Sequence, residues 1–218
     1  GVRCGITICE DVWGPGPARL CRDAGAELIV VINGSPFDVG HHARREQVLR
    51  DRARETGRPI LYCNMVGGQD ELVFDGASMV VDAEGAVTQR APVFEACLVP
   101  AVFERAGDGR VRPVPGDVAA ELPVPERVYR ALVLGTRDYV DKHRFPGVVL
   151  GLSGGIDSAL TLAIAVDALG PDRVRTVMMP SRYTASMSLE DAAEMARRIG
   201  VRYDVVSIEP IFTTITDA

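Results

Sequence analysis

Apolar runs alternate with amphipathic or charged stretches along most of the chain. In its first third the runs lie at residues 2–8, 27–32 and 59–66. Continuous runs of this kind are typical of strands buried on both faces of a parallel sheet. The stretches between them predict helices over about 15–25 and 42–56. This part of the chain is therefore predicted to fold as β-α-β-α-β.

The pattern then becomes more irregular. Residues 67–76 are rich in turn residues, and 77–89 alternate apolar and polar side chains around Ala83–Gly85, which predicts a hairpin. Residues 96–104 predict one further strand. Residues 105–125 contain three glycines and four prolines and have no clear period, which predicts an interdomain linker.

The remaining residues repeat the β-α-β-α-β order without repeating the sequence. A helix is predicted over 126–143, followed by strands and helices that would form a parallel sheet covered on both faces. The predicted strands are 146–152, 174–180 and 201–208. We therefore expect an α/β protein with domains at 1–104 and 126–218.

Composition agrees with two packed domains. Of the 218 residues, 47% are hydrophobic and 25% are charged, which favours folded cores over disorder. The formal net charge of −6 argues against a nucleic-acid or anionic-membrane partner, because both attract basic surfaces. No signal peptide or membrane-spanning run is recognised.

Cysteine usage and the chain ends add two expectations. The five cysteines form no CxxC pair, so we expect reduced thiols in a cytoplasmic protein. The chain begins at Gly1 in a strand-like run, without methionine, and stops at Ala218. We therefore expect it to be a piece of a longer protein.

A glycine-rich loop, GLSGGIDS, stands between a buried strand and a helix of the second domain. Its glycines allow a tight turn, and the free N–H groups of the helix's first turn attract an anion. Asp157 would repel a phosphate unless Mg²⁺ lay between them. A small-residue turn with an ordinary cap is the alternative. The candidate nucleotide-binding residues are Gly151, Leu152, Ser153, Gly154, Gly155, Ile156, Asp157 and Ser158, with Asp157 as the metal ligand.

A cysteine with two acidic neighbours stands in the motif ICEDVW, residues 8–13. Adjacent anions raise a thiol's pKa, so Cys9 is either a buried core thiol or is activated by groups elsewhere. Cys9, the motif NGSPF at 33–37 and the motif at 63–76 each follow a buried strand. Three adjacent strand ends with polar groups favour one shared pocket.

These motifs resemble known families. SGGIDS resembles the pyrophosphate loop of the ATP pyrophosphatase superfamily. ICEDVW, GSPF and NMVGGQDELVFDG resemble the nitrilase-type amidase domain of the glutamine-dependent NAD⁺ synthetase family, whose motif order is matched throughout. The resemblance implies a partial nitrilase-like α/β domain joined by a linker to a partial parallel-sheet domain of the adenine nucleotide α-hydrolase-like, Rossmann-like type.

The resemblance also implies roles for individual residues. Cys9 would attack the glutamine carboxamide and release ammonia, and Glu10 would supply a backbone N–H and orient the site. Trp13, Ser35 and His41 would contact glutamine. The second domain would use ATP and Mg²⁺ to activate deamido-NAD⁺ for amidation, which makes the parent enzyme a carbon–nitrogen ligase. We expect glutamine and deamido-NAD⁺ as partners and a homo-oligomeric assembly.

Two departures from the family pattern limit these implications. The family's catalytic glutamate and lysine precede the cysteine and are absent here; the chain's single lysine is Lys142. His41 stands where the family usually has a lysine in SPFxxGK. We therefore expect this chain alone to be nearly inactive. Another glutamine-dependent amidotransferase, another pyrophosphate-loop ligase and a non-catalytic fragment remain as alternatives.

Overall fold

A computed structural model describes residues 1–217, which form two compact units, 1–131 and 132–217. The division falls within helix α3, and each unit is described by itself. The first unit contains β1 (Cys4–Ile8), α1 (Pro15–Asp23), β2 (Leu28–Asn33), α2 (His41–Thr56), β3 (Ile60–Asn64), β4 (Val66–Gln69), β5 (Leu72–Asp75), β6 (Met79–Val81), β7 (Val87–Arg90), β8 (Phe103–Arg105), β9 (Val111–Pro113) and the start of α3 (Val124–Lys142).

The main sheet of the first unit has the order β1-β2-β3-β6-β7. Its first three strands are parallel, and β6 and β7 continue the sheet antiparallel. The predicted β-α-β-α-β order and the hairpin after it are confirmed. Ile8 pairs with Ile32, and Asn33 pairs with Asn64. The carboxyl ends of β1, β2 and β3 therefore meet at one edge of the sheet.

The two faces of this sheet differ. One face packs against α1 and α2 and contains the largest buried side chains, Ile29, Val31, Ile60 and Tyr62, with Leu49 of α2. On the other face Ile6, Ile8 and Ile32 are 65%, 62% and 54% exposed. The sequence pattern predicts strands buried on both faces of the sheet. Among residues 1–217, other elements pack on one of the two faces at these strands and leave Ile6, Ile8 and Ile32 exposed on the other.

Two segments of the first unit differ from the prediction. Residues 66–75 form the two-stranded antiparallel sheet β4–β5 where only turns were expected. The strand predicted at 96–104 is wrong, because only Phe103–Arg105 is a strand. Pro100 lacks the N–H that a ladder needs, and the Pro100 carbonyl accepts instead from the Gln89 side chain.

The segment proposed as a linker has structure of its own. Strands β8 and β9 pair within 103–113, and Arg105 forms an ion pair with Glu27 at 2.7 Å. Further along, the Arg90 N–H donates to the Asp117 carbonyl at 3.0 Å. Most of this segment therefore lies on the first unit. The boundaries of the two domains stay a prediction.

The second unit is a parallel three-stranded sheet of order β10-β11-β12. After the end of α3 it contains β10 (Val148–Gly151), α4 (Ile156–Leu169), β11 (Val174–Met178), α5 (Ser186–Ile199), β12 (Arg202–Val205) and α6 (Glu209–Thr216). Leu152, Leu162, Val174 and Ala192 form its buried core. The predicted β-α-β-α-β order along the chain and the parallel sheet are confirmed. In neither unit do residues 1–217 include a helix that is both long and apolar enough to span a membrane.

Candidate functional site

Cys9 lies at a sharp strand-to-helix turn. It follows β1 directly and begins a one-turn 3₁₀ helix, Cys9–Val12. Its φ of 50° is in the left-handed region, which residues other than glycine rarely adopt. Such outliers concentrate at functional sites, and a turn between strand and helix is a known way to present a nucleophile. The thiol is half-buried.

The two acidic neighbours of Cys9 are arranged differently. Asp11 accepts a hydrogen bond from the Ile8 N–H at 2.9 Å, so its carboxylate holds the turn. Glu10 is exposed, and its carbonyl accepts from the Trp13 N–H at 3.0 Å. Of the two acidic side chains beside Cys9, the Asp11 carboxylate therefore stabilises the turn.

The second strand end carries Ser35, which is 6% exposed. Both backbone groups of Ser35 are bonded to the Asn64 side chain at the end of β3. The Ser35 N–H donates to Asn64 Oδ1 at 2.9 Å, and Asn64 Nδ2 donates to the Ser35 carbonyl at 3.3 Å. The Ser35 hydroxyl has no hydrogen-bond partner in the part of the chain that the structure describes, so it is available to a ligand.

A buried polar network lies beneath these strand ends. Arg45 of α2 donates to Asp75 Oδ2 at 2.5 Å, and the two side chains are 2% and 1% exposed. Burial by itself would lower the pKa of Arg45, but the hydrogen bond and charge of Asp75 raise it above its ordinary value. Burial raises the pKa of Tyr62, whose hydroxyl accepts from Asn33 Nδ2 at 2.8 Å.

Trp13 and His41 lie beside the Ser35 loop. Their ring centroids are 6.2 Å apart, and the Arg44 guanidinium lies 5.2 Å from the Trp13 ring. His41 Nδ1 is 3.3 Å from the Pro36 carbonyl oxygen. The structure thus brings these two predicted contact residues together, at the start of α2.

His42 is buried, with 4% exposure. It forms a cluster with Glu46 and Glu121 whose ligand-type atoms all lie within 4.8 Å of one another. Both carboxylates already pair with Arg90, and Glu46 also accepts from Arg50 at 2.6 Å. Because arginine already supplies the positive charge, this cluster is an ion-pair network rather than a metal site.

The basic stretch of α2 is also partly buried. Arg45 and Arg52 are 2% and 9% exposed, so this helix is not simply a solvated charged face. Its buried residues recur at helical spacing: His42, Arg45, Leu49, Arg52, Ala53 and Thr56.

A cavity of about 370 Å³ opens beside β3. Its walls are mostly apolar and include Cys63, Asn64 and Cys97. Neither Cys9 nor Ser35 lines it. The cavity therefore adds no group to the arrangement at the strand ends.

In the second unit, the glycine-rich loop leads from β10 into α4. The N–H groups of Ile156, Asp157 and Ser158 donate to no acceptor among residues 1–217. Free N–H groups in the first turn of a helix attract anions in general, and the nucleotide-binding role of this loop stays a prediction. Asp157 is exposed in the same turn.

Two serines of this loop form hydrogen bonds within it, and their predicted contact with a nucleotide stays a prediction. The hydroxyls of Ser153 and Ser158 lie 3.1 Å apart, and Ser158 Oγ also donates to the Gly155 carbonyl at 2.9 Å. Ser153 Oγ accepts from the Gly155 N–H at 3.3 Å. These hydroxyls hold the loop in shape.

Gly154 and Leu152 also serve the shape of the loop. Gly154 has a φ of 81°, and a Cβ there would lie 2.4 Å from the Ser188 carbonyl oxygen of α5. Leu152 is 1% exposed, and its N–H donates to the Val177 carbonyl at 3.0 Å. The side chain and the N–H of Leu152 therefore both have partners within the second unit.

Sequence reasoning missed Asn64 and the Arg45–Asp75 pair. Asn64 carries the same signal as Asn33, a polar residue that ends a buried strand. Arg45 could have been found from its helical spacing with Leu49 and Arg52. No local pattern joins Arg45 to Asp75, because the two lie 30 residues apart.

Two protein families match the chain, one in each half. Residues 1–106 match the carbon–nitrogen hydrolase family, and residues 128–218 match the NAD synthase family. The matched segments leave residues 107–127 between them. The nitrilase-like and NAD synthase parts of the expected α/β fold are confirmed.

Curated relatives match nearly the whole chain. A glutamine-dependent NAD(+) synthetase of Rhodobacter capsulatus is 51% identical over 95% of this chain, and one of Xylella fastidiosa is 50% identical over 97%. The chain covers 38% and 39% of these relatives. It therefore spans about two fifths of their length.

Solved structures agree. A glutamine-dependent NAD+ synthetase from Acinetobacter baumannii, in complex with adenosine diphosphate, has a TM-score of 0.92 and 44% identity over 98% of this chain and 40% of its own. A synthetase from Cytophaga hutchinsonii, at 20% identity and a TM-score of 0.76 over 98% of this chain and 40% of its own, shares the fold. The resemblance indicated by the motifs is thereby confirmed: over nearly all of its length this chain is similar to glutamine-dependent NAD(+) synthetases.

Proposed function

We propose that the complete protein carrying this chain makes NAD⁺ from deamido-NAD⁺, with ATP as the energy source and glutamine as the nitrogen donor. The observation that carries the proposal is the 51% identity to a glutamine-dependent NAD(+) synthetase over 95% of the chain. Cys9 at its strand-to-helix turn and the free N–H groups of α4 give this similarity a chemical basis in each unit.

In the first unit, the Cys9 thiolate attacks the carboxamide carbon of glutamine. The carbon–nitrogen bond breaks, ammonia leaves, and water then hydrolyses the thioester to glutamate. The Glu10 N–H, which has no acceptor among residues 1–217, donates to the oxyanion that forms during the attack. Trp13, Ser35 and His41 contact glutamine.

Cys9 needs a base and a cation that its own neighbours do not supply. Glu10 and Asp11 are acidic, and the chain's single lysine, Lys142, is in the second unit. A cation beside the thiol would offset these acids and favour the thiolate form. We infer that the base and the cation come from parts of the complete protein outside these 218 residues.

In the second unit, the phosphates of ATP bind at the first turn of α4. ATP adenylates the carboxyl group of deamido-NAD⁺ and releases pyrophosphate, and ammonia then displaces AMP to form the amide. The Asp157 carboxylate has no hydrogen-bond or ion-pair partner in residues 1–217. An exposed oxygen ligand at this position fits Mg²⁺, which would neutralise the charge between carboxylate and phosphate.

We also infer a cytoplasmic location, which the five free cysteines support. A homo-oligomeric assembly stays a prediction, as does the absence of nucleic-acid and membrane partners.

Single substitutions in the complete protein test the division of labour. Cys9→Ala should abolish NAD⁺ synthesis from glutamine and leave synthesis from ammonium within about twofold of the native rate, because the thiol serves only the release of ammonia. Cys63, an exposed thiol on strand β3 of the same sheet, supplies the matched control: Cys63→Ala should retain both activities. Equal loss of both activities in Cys9→Ala would refute the proposal.

A second substitution tests the nucleotide site. Asp157→Asn should reduce synthesis from glutamine and from ammonium alike, since both depend on ATP. The substitution should also weaken the dependence of the rate on Mg²⁺ concentration. Native ammonium-dependent activity in Asp157→Asn would show that Asp157 is not the metal ligand.

A further inference from the structure

We infer that Asn64 is a positioning residue that fixes Ser35 for glutamine binding, and this inference rests on the proposed function. Asn64 ends β3, is 5% exposed, and lies across the sheet edge from the loop that follows β2. Neither of its amide atoms is left over for a ligand in the described structure. Asn64 therefore acts through its neighbours.

The Asn64 side chain pairs with the Ser35 peptide much as a neighbouring strand would. Its Oδ1 accepts from the Ser35 N–H at 2.9 Å, and its Nδ2 donates to the Ser35 carbonyl at 3.3 Å. These two hydrogen bonds, one accepted and one donated by the Asn64 side chain, hold the Ser35 backbone at a set distance and in a set orientation. An ordinary peptide in a loop has no such restraint.

Asn64 is itself anchored on the side away from Ser35. Its Nδ2 also donates to the Gly76 carbonyl at 3.0 Å, and its backbone N–H donates to Ser78 Oγ at 3.0 Å. The chain after β5 and the start of β6 thus determine where the amide points. The Arg45–Asp75 pair joins the same anchor, because Arg45 Nη1 lies 3.5 Å from the Ser35 carbonyl.

This arrangement uses the backbone of Ser35 and leaves its hydroxyl without a partner in the described structure. A hydroxyl that is held by its own backbone loses little further freedom when it binds a ligand. Asn64 should therefore govern the affinity for glutamine rather than the chemistry at Cys9.

The experiment compares Asn64→Asp, Ser35→Ala and Thr56→Val in the complete protein. The carboxylate introduced by Asn64→Asp would keep the accepting oxygen but lose both donated hydrogen bonds. We expect Asn64→Asp to raise the KM for glutamine by about tenfold or more, with kcat at saturating glutamine within about threefold and the ammonium-dependent rate unchanged. Ser35→Ala should raise the same KM. Thr56→Val removes a buried hydroxyl bond at the far end of α2 and should leave the KM unchanged.

Alkylation of Cys9 gives a second readout that a general loss of packing would not reproduce. A glutamine-shaped electrophile, 6-diazo-5-oxo-norleucine, should react more slowly with Asn64→Asp, whereas iodoacetamide, which has no amino-acid group, should react at the native rate. Equal slowing of both reagents, or a proportional fall in kcat, would overturn the inference. So would a native KM in Ser35→Ala, whether or not Asn64→Asp folds. Failure of the proposed function would instead appear as glutamine-dependent activity in Cys9→Ala.

Discussion

The buried ion pair of Arg45 and Asp75 permits a quantitative test of how the glutamine site is held. The two charges are joined at 2.5 Å, and each side chain is at most 2% exposed. Asp75→Asn removes the negative charge while keeping the shape of the side chain. Arg45 would then be a buried cation without a counter-charge.

Removing one partner of a buried pair costs about 3–5 kcal/mol, because the remaining charge has lost its compensation for desolvation. That cost corresponds to a loss of roughly a hundredfold to several thousandfold in the folding equilibrium constant. Replacing both charges at once should cost much less, since no buried charge remains. The variant Arg45→Met/Asp75→Leu should therefore be more stable than the sum of its single substitutions predicts.

Urea unfolding of the 218-residue chain measures these changes. Trp13 is the single tryptophan of the chain and packs against the core of the first unit, so its fluorescence reports that unit. The control is Glu126→Gln, which breaks an exposed pair with Arg130 of similar length, 2.6 Å. This control should leave the urea midpoint nearly unchanged, because exposed pairs contribute little.

Two results would refute this reasoning. The first is an Asp75→Asn midpoint equal to that of the exposed control, which would mean that water or another group compensates Arg45. The second is a double variant whose loss equals the sum of its single substitutions. Additive losses would show that the two charges do not interact in the folded protein.

Three further predictions concern single positions. Gly154→Ala should destabilise the second unit by more than about 1 kcal/mol in a thermal unfolding assay, because φ at Gly154 is 81° and the new Cβ would lie 2.4 Å from a backbone oxygen of α5. Gly155→Ala is the control and should be tolerated, because the nearest atom to its new Cβ lies at 3.5 Å. Burial lowers the pKa of His42 from 6.5, and the charge of Arg45 lowers it further, so the folding stability should fall as the pH drops below 6.5. In urea midpoints measured against pH, His42→Gln should flatten that fall, and an unchanged slope would contradict the assignment to His42. The hydrogen bond from Arg105 lowers the pKa of Glu27 to about 2, so Arg105→Met should raise it towards 4.5 in a carboxyl ¹³C NMR titration, and an unchanged value would show that Arg105 is not the cause.

The sequence predicts the fold best where the apolar runs are long. All six strands of the two β-α-β-α-β segments are present, because a continuous apolar run stabilises a strand whichever elements cover it. The prediction failed at 96–104, where the hydrophobicity is similar but Pro100 cannot donate to a ladder. It also missed β4 and β5. The glycines of this segment indicated turns, but its two short strands pair antiparallel in the structure.

The candidate site was predicted in part. The motifs identified Cys9, Ser35 and the loop at Gly154, since these residue types have a chemical meaning in their local context. The structure adds hydrogen bonds of Leu152, Ser153 and Ser158 that hold the loop in shape, and their contact with a nucleotide stays a prediction. A hydroxyl's partner depends on the turn that the loop finally takes, which its sequence does not specify.

The sequence by itself determined the order of strands and helices in the two β-α-β-α-β segments, the two-part organisation and the family that the motifs resemble. These properties depend on neighbours along the chain, through the period of apolar residues and the spacing within short motifs. Only the tertiary structure decided that Asn64 holds the Ser35 peptide and that Asp75 neutralises a buried Arg45. The partners of each pair lie 29 and 30 residues apart. Buried polar groups must find partners wherever the fold brings them together, and that choice is made in three dimensions.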